Sequence, residues 1–332
     1  LAVVAGSDHA LYEVSLATGR RARKLYTKAH GHSEWVTCVA HASDGRVLSG
    51  GMDSTLCLWE KGRAVRAQRL EGHTGSVSAV ACGDAHAVSA SYDKSLRVWA
   101  LGASGLRAEA ASVLRGHKAP ILCLSWGGEG GAVATGARDG ALGLWEIGVE
   151  AAASMFGGAH QGHVTALQWL HGGGGARSES VLLSGGQDGR IRAWDPRVRP
   201  RAALVAELEG HATPKGAGAV GDLRRLAGAG TGVAFASSGA DGAVRTWDAR
   251  AWGAVHTWRE HGDFVYCMEA LEDLVISGDG GGRVLVHDAR TGACAYGLGA
   301  GRNAVRALCV GAGGDALLCA GDDGDATIYS FA

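Results

Sequence analysis

A polar and aromatic pattern recurs along this chain and constrains its fold more than any other feature. In each copy a serine or threonine precedes an aspartate by four positions, and a tryptophan follows that aspartate by six. The aspartates are Asp53, Asp93, Asp139, Asp188 and Asp241, at steps of 40, 46, 49 and 53 residues. A period of this size is typical of repeat architectures, in which each copy is one structural unit.

A histidine precedes each copy and is followed by an apolar run. The spacing from the histidine to the first apolar residue is four positions in five cases: His32 to Val36, His73 to Val77, His117 to Ile121, His160 to Val164 and His261 to Val265. The spacing from His211 to Val220 is nine, which indicates an insertion of about five residues there. The pattern therefore extends to a sixth copy, which begins at His261.

The runs between these polar positions are typical of β-strands. Short aliphatic and β-branched segments alternate with Gly, Asp and Ser, and the chain has 55 glycines but only 4 prolines. Asp-Gly pairs at 139–140, 188–189 and 241–242 predict tight hairpins with positive φ at the glycine. No long segment has a 3.6-residue period, so we expect almost no helix.

Together the Gly-His, Ser/Thr, Asp and Trp positions resemble the WD40 family. The resemblance covers essentially the whole chain. It implies an all-β fold: a single closed β-propeller over residues 1–332, with four antiparallel strands in each sheet, or blade. The degenerate first and last copies are expected to adjoin and close the ring.

The sequence is compatible with two blade counts, eight and seven. Residues 3–6, 11–16 and 23–26 form a degenerate first copy without its first strand, and Asp322, Asp323 and Tyr329 mark a last one. With the six copies between them, the hairpin count gives eight, whereas WD40 rings most often have seven blades. In the sixth copy Gly281 stands six positions before His287, so we expect the polar pattern to be interrupted there.

The resemblance also implies a role for the recurring polar residues, which would be costly to bury without partners. In WD40 blades the His, Ser/Thr, Asp and Trp side chains form one hydrogen-bonded set. The five sets are His32, Ser49, Asp53, Trp59; His73, Ser89, Asp93, Trp99; His117, Thr135, Asp139, Trp145; His160, Ser184, Asp188, Trp194; and His211, Ser237, Asp241, Trp247. A catalytic Ser-His-Asp triad is the alternative, but five equivalent copies around a ring do not form one pocket with an oxyanion hole. We therefore expect a structural network and no enzyme.

Partner binding is expected on the top face, built from the aspartate turns and the loops before each first strand, because residues there are free of the core. The predicted contact residues are Trp35, Met52, Tyr92, Arg138, His163, Gln187 and Phe264. Local packing of Trp35 and Phe264 against neighbouring loops is the alternative. The predicted function is a scaffold that mediates protein–protein interactions as a subunit of a larger assembly.

A second motif, W-D-x-R, occurs twice in tandem and ends at Arg197 and Arg250. Such motifs resemble those of substrate receptors for cullin-based ubiquitin ligases, in which the arginine contacts the ligase adaptor. That is the alternative function, beside an ordinary strand end with a solvated arginine.

Charge and composition limit the partners. The formal net charge is -1, which gives no global attraction to nucleic acid or to an anionic membrane. The eight cysteines form no C-x-x-C pair and lie singly inside apolar runs, as small buried hydrophobes do, which favours a reducing compartment. We expect protein partners, with no cofactor, metal, small-molecule substrate, signal peptide or homo-oligomer. The predicted location is the cytoplasm, with cytoskeletal or ciliary and nuclear alternatives.

Overall fold

The computed structural model describes residues 1–27, 30–62, 64–103, 105–127, 131–147, 152–170, 180–213, 216–227, 233–299 and 303–331. Residue contacts divide the chain into two compact units. Unit 1 comprises Leu1, Val3–Ser15 and Arg20–Ala159, and unit 2 comprises Ala2, Leu16–Gly19 and His160–Ala332.

The sheets assigned mainly to unit 1 are consecutive antiparallel meanders. Their strands are β1 (Ala2–Ala5), β2 (Leu11–Val14) and β3 (Arg21–Leu25); β4 (Val36–His41), β5 (Val47–Gly51), β6 (Leu56–Trp59) and β7 (Ala67–Leu70); β8 (Val77–Cys82), β9 (His86–Ser91), β10 (Ser95–Leu101) and β11 (Ala108–Arg115); and β12 (Ile121–Trp126), β13 (Ala132–Ala137), β14 (Leu142–Glu146) and β15 (Ala152–Phe156). The first sheet has three strands and the others have four.

Unit 2 repeats this plan. Its strands are β16 (Val164–Leu170), β17 (Val181–Gly186), β18 (Arg190–Trp194) and β19 (Leu204–Glu209); β22 (Val220–Arg225), β23 (Val233–Gly239), β24 (Val244–Asp248) and β25 (Gly253–Trp258); β26 (Val265–Leu271), β27 (Leu274–Asp279), β28 (Arg283–Asp288) and β29 (Cys294–Gly299); and β30 (Val305–Val310), β31 (Ala316–Gly321) and β32 (Ala326–Ser330). The insertion after His211 forms a small hairpin of β20 (Ala212–Thr213) and β21 (Gly216–Ala217). Among the described residues the helical content is a single 3-10 turn, Pro200–Ala202.

The core lies between successive sheets of each unit. First strands of neighbouring sheets lie side by side, as β4 does with β8 in unit 1 and β22 with β26 in unit 2. Between such sheets an outer-strand leucine packs with the tryptophan of the next copy, as Leu70 does with Trp99. Each sheet therefore buries its apolar faces on its neighbours, as a repeat fold requires.

The eight sheets, six of four strands and two of three, settle the blade count among the described residues. The all-β class is confirmed, and the fold is a β-propeller of eight blades, not the seven of the alternative. The first sheet lacks its first strand, as the sequence indicated. Assignment of residues 1–332 to one closed domain stays a prediction.

The turn chemistry predicted for the Asp-Gly pairs is confirmed. Gly140, Gly189 and Gly242 have φ of 78°, 73° and 67°. In the first two copies the same position is held by Ser54 and Lys94, with φ of 63° and 71°. L-residues pay for this left-handed conformation because Cβ crowds the following carbonyl oxygen.

Glycine at these two turns is therefore expected to stabilise the protein. We expect Ser54→Gly and Lys94→Gly each to raise the free energy of unfolding by up to about 1 kcal/mol, since relief of the Cβ clash exceeds the extra entropy of the unfolded chain. Thermal unfolding followed by circular dichroism measures the effect. Ser54→Ala and Lys94→Ala are the matched controls because they keep Cβ, and glycine variants no more stable than these would contradict the argument.

The cysteines follow the prediction only in part. All eight are free, and Cys57, Cys267 and Cys319 are buried. Cys294, on the outer strand β29, and Cys309, on the first strand of the last sheet, are however exposed. In the described part of the chain no helix is long and apolar enough to cross a membrane.

Candidate protein-interaction site

The first two copies bring their four polar side chains together as one connected set. In the first, Nδ1 of His32 lies 3.0 Å from the Asp53 carboxylate, Nε2 lies 2.8 Å from Oγ of Ser49, and Nε1 of Trp59 donates to the same Oγ at 2.8 Å. The second copy repeats this geometry with distances of 2.8, 2.8 and 3.0 Å. The set joins the loop before the first strand to the second and third strands.

The proton positions in such a set follow from its partners. The carboxylate only accepts, so Nδ1 of His73 donates to Asp93, and Nε2 then accepts from Ser89. Burial lowers the pKa of His73, which keeps the ring neutral despite the nearby carboxylate. Burial alone would raise the pKa of Asp93, but hydrogen bonds from Ser95, the Thr74 amide and His73 together lower it to about 2.

The fourth and fifth copies are also connected, and each adds an arginine. His160 contacts Asp188 at 2.9 Å and Ser184 at 2.7 Å, and Nε1 of Trp194 donates to Ser184 at 2.8 Å. Arg192 donates to Asp188 at 2.9 Å.

In the fifth copy His211 lies 2.6 Å from Asp241 and 2.9 Å from Ser237, to which Trp247 donates at 2.9 Å. Arg245 donates to Asp241 at 2.9 Å. The arginine thus holds the carboxylate from the third strand in both copies.

The third copy corrects the predicted set, because Asp139 is not hydrogen-bonded to His117. Nε2 of His117 pairs with Thr135 at 2.7 Å, and Trp145 donates to Thr135 at 2.7 Å. Nδ1 of His117 is buried without a partner, while Asp139 is exposed and accepts from the Ala141 amide. Burial lowers the pKa of His117 to about 4, and the charge of Asp139 offsets only part of this.

The sixth copy is more complete than the sequence indicated. Nδ1 of His261 lies 2.8 Å from Asp279, and Nε2 lies 2.7 Å from Ser277. Only the tryptophan is missing, since His287 occupies its place. The expectation of an interrupted network is therefore wrong for three of its four members, because Asp279 at the end of β27 takes the place of the turn aspartate.

The serine and threonine hydroxyls are placed for structure. Ser49, Ser89, Thr135, Ser184 and Ser237 all have no exposed surface. Each hydroxyl oxygen accepts from a tryptophan indole, so no substrate carbonyl can approach it from solvent. Such satisfied networks rigidify the sheets that present the loops.

The residues predicted to contact partners lie at the end of each sheet that carries the aspartate turn, here called the turn end. In unit 1 the amide of Met52 donates to the carbonyl of Trp35 at 2.8 Å, and that of Tyr92 to Ser76 at 2.9 Å. Oγ of Ser76 donates to the Met52 carbonyl at 3.4 Å, which joins the two pairs. Trp35, Met52 and Tyr92 are 54%, 41% and 49% exposed. These three side chains on the hydrogen-bonded frame are here called the apolar surface.

Arg138 lies at the same turn position in the next sheet of unit 1. Its amide donates to Pro120 at 2.9 Å, and the residue is exposed. Lys94 and Lys118, also exposed, flank the Tyr92 and Pro120 positions in sequence. Three exposed cationic side chains, Lys94, Lys118 and Arg138, therefore lie at the turn ends of these two sheets.

In unit 2 the predicted residues are less exposed. Gln187 is exposed and its amide donates to His163 at 2.8 Å, but His163 and Phe264 are half-buried. Phe264 packs edge-on against Tyr266, with ring centroids 4.4 Å apart, as the local-packing alternative expects. One face of Phe264 lines an open cleft of about 400 Å³ that also includes Thr213, Asp241 and Asp263.

Sequence reasoning missed one exposed aromatic residue of unit 1. Tyr26 follows β3 and is exposed, and its ring lies against Gly31, next to His32. An aromatic residue in the loop that leads to the histidine was the available signal.

The arginines of the W-D-x-R motifs pair with the aspartates of the same motifs. Nη2 of Arg197 lies 2.6 Å from Asp195, and Nη2 of Arg250 lies 3.2 Å from Asp248. A hydrogen bond from Arg197 lowers the pKa of Asp195, and Arg250 acts in the same way on Asp248. A local ion pair therefore accounts for the motif at the strand end.

Comparison with known families agrees with the repeated geometry. The family model described as "WD domain, G-beta repeat" matches residues 23–60, 65–100, 109–146 and 156–195. The chain is a WD40-repeat protein. The four matched segments are the first four of the copies identified above.

Similar proteins include several named for ribosome biogenesis. This WD40 chain is 29% identical over 261 residues to "Ribosome biogenesis protein WDR12 homolog" of Chlamydomonas reinhardtii, covering 68% of the chain and 55% of that protein. The Ixodes scapularis homologue is 23% identical over 315 residues, covering 75% and 70%. "Cell division cycle 20.1, cofactor of APC complex" of Arabidopsis thaliana is 26% identical over 223 residues, covering 64% and 44%. The chain thus spans about half the length of the Chlamydomonas and Arabidopsis relatives.

A solved structure supports the fold alone. The computationally designed Ika8 protein is 23% identical to this WD40 chain, with a TM-score of 0.81, covering 99% of this chain and 92% of that one.

Proposed function

We propose that this WD40 protein is a non-enzymatic scaffold that binds other proteins through the turn end of unit 1. The observation that carries the proposal is the exposure of Trp35, Met52 and Tyr92 on one hydrogen-bonded frame. Exposed aromatic residues with an adjacent arginine have the composition of interface hot spots. Exposed apolar side chains grouped in this way are typical of protein-interaction sites.

The buried hydroxyls of the polar sets support a non-enzymatic role, because none of them is accessible to a substrate as a nucleophile. No group of three metal-ligating side chains occurs within the described ranges. The rigid sheets would present the loops at fixed positions, which lowers the entropy lost on binding.

The relatives make assemblies of ribosome biogenesis the first setting to examine. That setting favours the nuclear location over the cytoplasmic and cytoskeletal ones. The ligase-receptor alternative is less well supported, since Arg197 and Arg250 are both engaged by their own aspartates.

Loss of the apolar surface is expected to release partners without unfolding the protein. We expect Trp35→Ala combined with Tyr92→Ala to reduce recovery of co-purifying proteins by about tenfold or more, because hot-spot aromatics each contribute roughly 2 kcal/mol or more. Affinity purification with quantitative mass spectrometry measures recovery, and circular dichroism checks the fold.

Tyr296→Ala is the matched control. Tyr296 is more exposed, at 65%, but lies on the outer strand β29 away from any turn end. Partners lost equally from both variants, or retained by the double variant, would exclude the turn end of unit 1 as the binding surface.

A further inference from the structure

Unit 2 carries an exposed apolar cluster in a different place from unit 1. Val198, Leu204 and Val205 are 39%, 46% and 48% exposed. They belong to the hairpin between β18 and β19, at the end of that sheet opposite the Asp188 turn. This cluster is therefore separate from any aspartate turn of unit 2.

The exposure of Val205 follows from the strand register. Ala193 pairs with Ala206 and Trp194 with Leu204, so Val205 is the extra residue of a β-bulge. The outer strands of other sheets have the same bulge. Its extra residue is Ala22, Ala111, Ala153, Val205, Val255 and Ala295 in the sheets of β3, β11, β15, β19, β25 and β29. A large apolar bulge residue thus occurs in two of these six sheets.

Only the first of these two valines lies beside a cluster of arginines. Arg197, Arg199 and Arg201 are all exposed in the loop that precedes Leu204. The loop is closed by the Asp195 amide, which donates to the Ala203 carbonyl at 2.7 Å. We call Arg197, Val198, Arg199, Arg201, Leu204 and Val205 the arginine patch.

The arginine patch is basic although the chain is nearly neutral. Arg197 pairs with Asp195, but the part of the chain that the structure describes offers no ion pair to Arg199 or Arg201. The nearest acidic side chain of β19, Glu207, is already paired with Arg190 and Arg192. Two positive charges therefore remain uncompensated beside the apolar cluster.

We propose that the arginine patch binds a segment of a partner protein in which acidic and apolar side chains occur together. Carboxylates match the guanidinium geometry of Arg199 and Arg201, and the apolar side chains would cover Leu204 and Val205. A nucleic acid would contact the arginines through its phosphates but would leave the valines and the leucine uncovered. The loop also has no aromatic side chain on which a base could stack. This surface goes beyond the turn end of unit 1 and does not depend on it.

Fluorescence anisotropy with purified protein tests the proposal. The probes are labelled synthetic peptides of equal length: one of Glu, Asp, Leu and Val; one with Lys for the acids; and one with Ser for the apolar residues. A single-stranded oligouridylate is the fourth probe. We expect the acidic apolar peptide to bind at least about tenfold more tightly than the other three, with affinity falling as salt rises.

Matched variants locate the site. Arg199→Glu with Arg201→Glu should weaken the acidic apolar peptide by about tenfold or more, and Val205→Ser by several-fold. Val255→Ser changes the equivalent bulge residue in the next sheet, and Arg250→Glu changes the arginine of the other W-D-x-R motif. Both residues lie outside the arginine patch, so neither substitution should change the affinity for the peptide.

Absence of saturable peptide binding, equal losses from Val205→Ser and Val255→Ser, or tighter binding of the oligouridylate would each overturn the proposal. The variant with Trp35→Ala and Tyr92→Ala should bind the peptide normally. Its result separates failure of this proposal from failure of the turn-end function.

Discussion

Replacing Ser89 with alanine is expected to lower the free energy of unfolding by about 2–6 kcal/mol. The hydroxyl of Ser89 pairs with Nε2 of His73 at 2.8 Å and accepts from Nε1 of Trp99 at 3.0 Å. Ser89 has no exposed surface, so water cannot replace the hydroxyl, and two buried polar groups lose a partner at about 1–3 kcal/mol each. Urea denaturation followed by circular dichroism measures the loss.

Ser89→Thr is the matched control because it keeps the hydroxyl. The third copy already uses Thr135 at this position, with both partners at 2.7 Å. The threonine variant should therefore retain most of the stability. Equal losses from alanine and threonine would show that the cost comes from packing and not from the hydrogen bonds.

The membership of the polar sets was implied by the resemblance to WD40 blades, and the need of buried polar groups for partners agrees with it. Serine, aspartate and tryptophan at fixed spacing lie on the second and third strands of one sheet, and the histidine reaches them from the loop before the first strand. The hairpin count of the same recurrence favoured eight sheets, since each hairpin needs its own turn, whereas the family most often has seven.

The failure at Asp139 has a cause that is visible in the sequence. Asp53 accepts from the Thr55 hydroxyl at 2.8 Å and Asp93 from that of Ser95 at 2.6 Å. In the fourth and fifth copies an arginine four residues later serves instead. The third copy has Ala141 and Gly143 at these two positions, so no second side-chain donor holds its aspartate against the histidine.

The arginine patch could not be predicted from sequence, because its central valine is exposed through a bulge. A bulge is visible only once the register of β18 and β19 is known. The sequence repeat places Val205 on an outer strand. It does not tell which face of the sheet the side chain occupies, because the bulge changes the alternation of side chains along that strand.

The second large expected effect concerns the contact between an outer strand and the tryptophan position of the next copy. In one such contact the larger side chain is on the outer strand and the smaller one is at the tryptophan position. An outer-strand leucine shares a core cluster with the next tryptophan at Leu70 and Trp99, at Leu114 and Trp145, and at Leu208 and Trp247. On β25, the outer strand before the sixth copy, Trp258 takes the leucine position and stacks on His287 of the sixth copy, with ring centroids 4.5 Å apart. The aromatic ring therefore fills the same space from the opposite side.

His287 has no good polar partner in this arrangement. It is fully buried, and both ring nitrogens lack a hydrogen bond. Nε2 lies 3.5 Å from the Glu260 carboxylate, which is too long for an effective hydrogen bond. Burial lowers the pKa of His287 to about 4, so the ring is neutral at pH 7.

We expect strong coupling between substitutions at these two positions. His287→Trp alone should cost about 1–3 kcal/mol by overpacking, and Trp258→Leu alone a similar amount by leaving a cavity. The double variant restores the arrangement of the other copies and should return to within about 1 kcal/mol of the parent, a coupling of roughly 2–3 kcal/mol.

Denaturation of the parent, both single variants and the double variant measures the cycle. Trp258→Leu combined with Ser89→Ala, which lies in the other unit, is the additive control. The parent should also lose stability as pH falls from 6.5 toward 4, because the unfolded state takes up a proton at His287 before the native state does. The double variant lacks the His287 imidazole and should lose less stability between pH 6.5 and 4. If the two substitutions are additive in the free energy of unfolding and the pH dependence is unchanged, the two positions are not an exchanged pair.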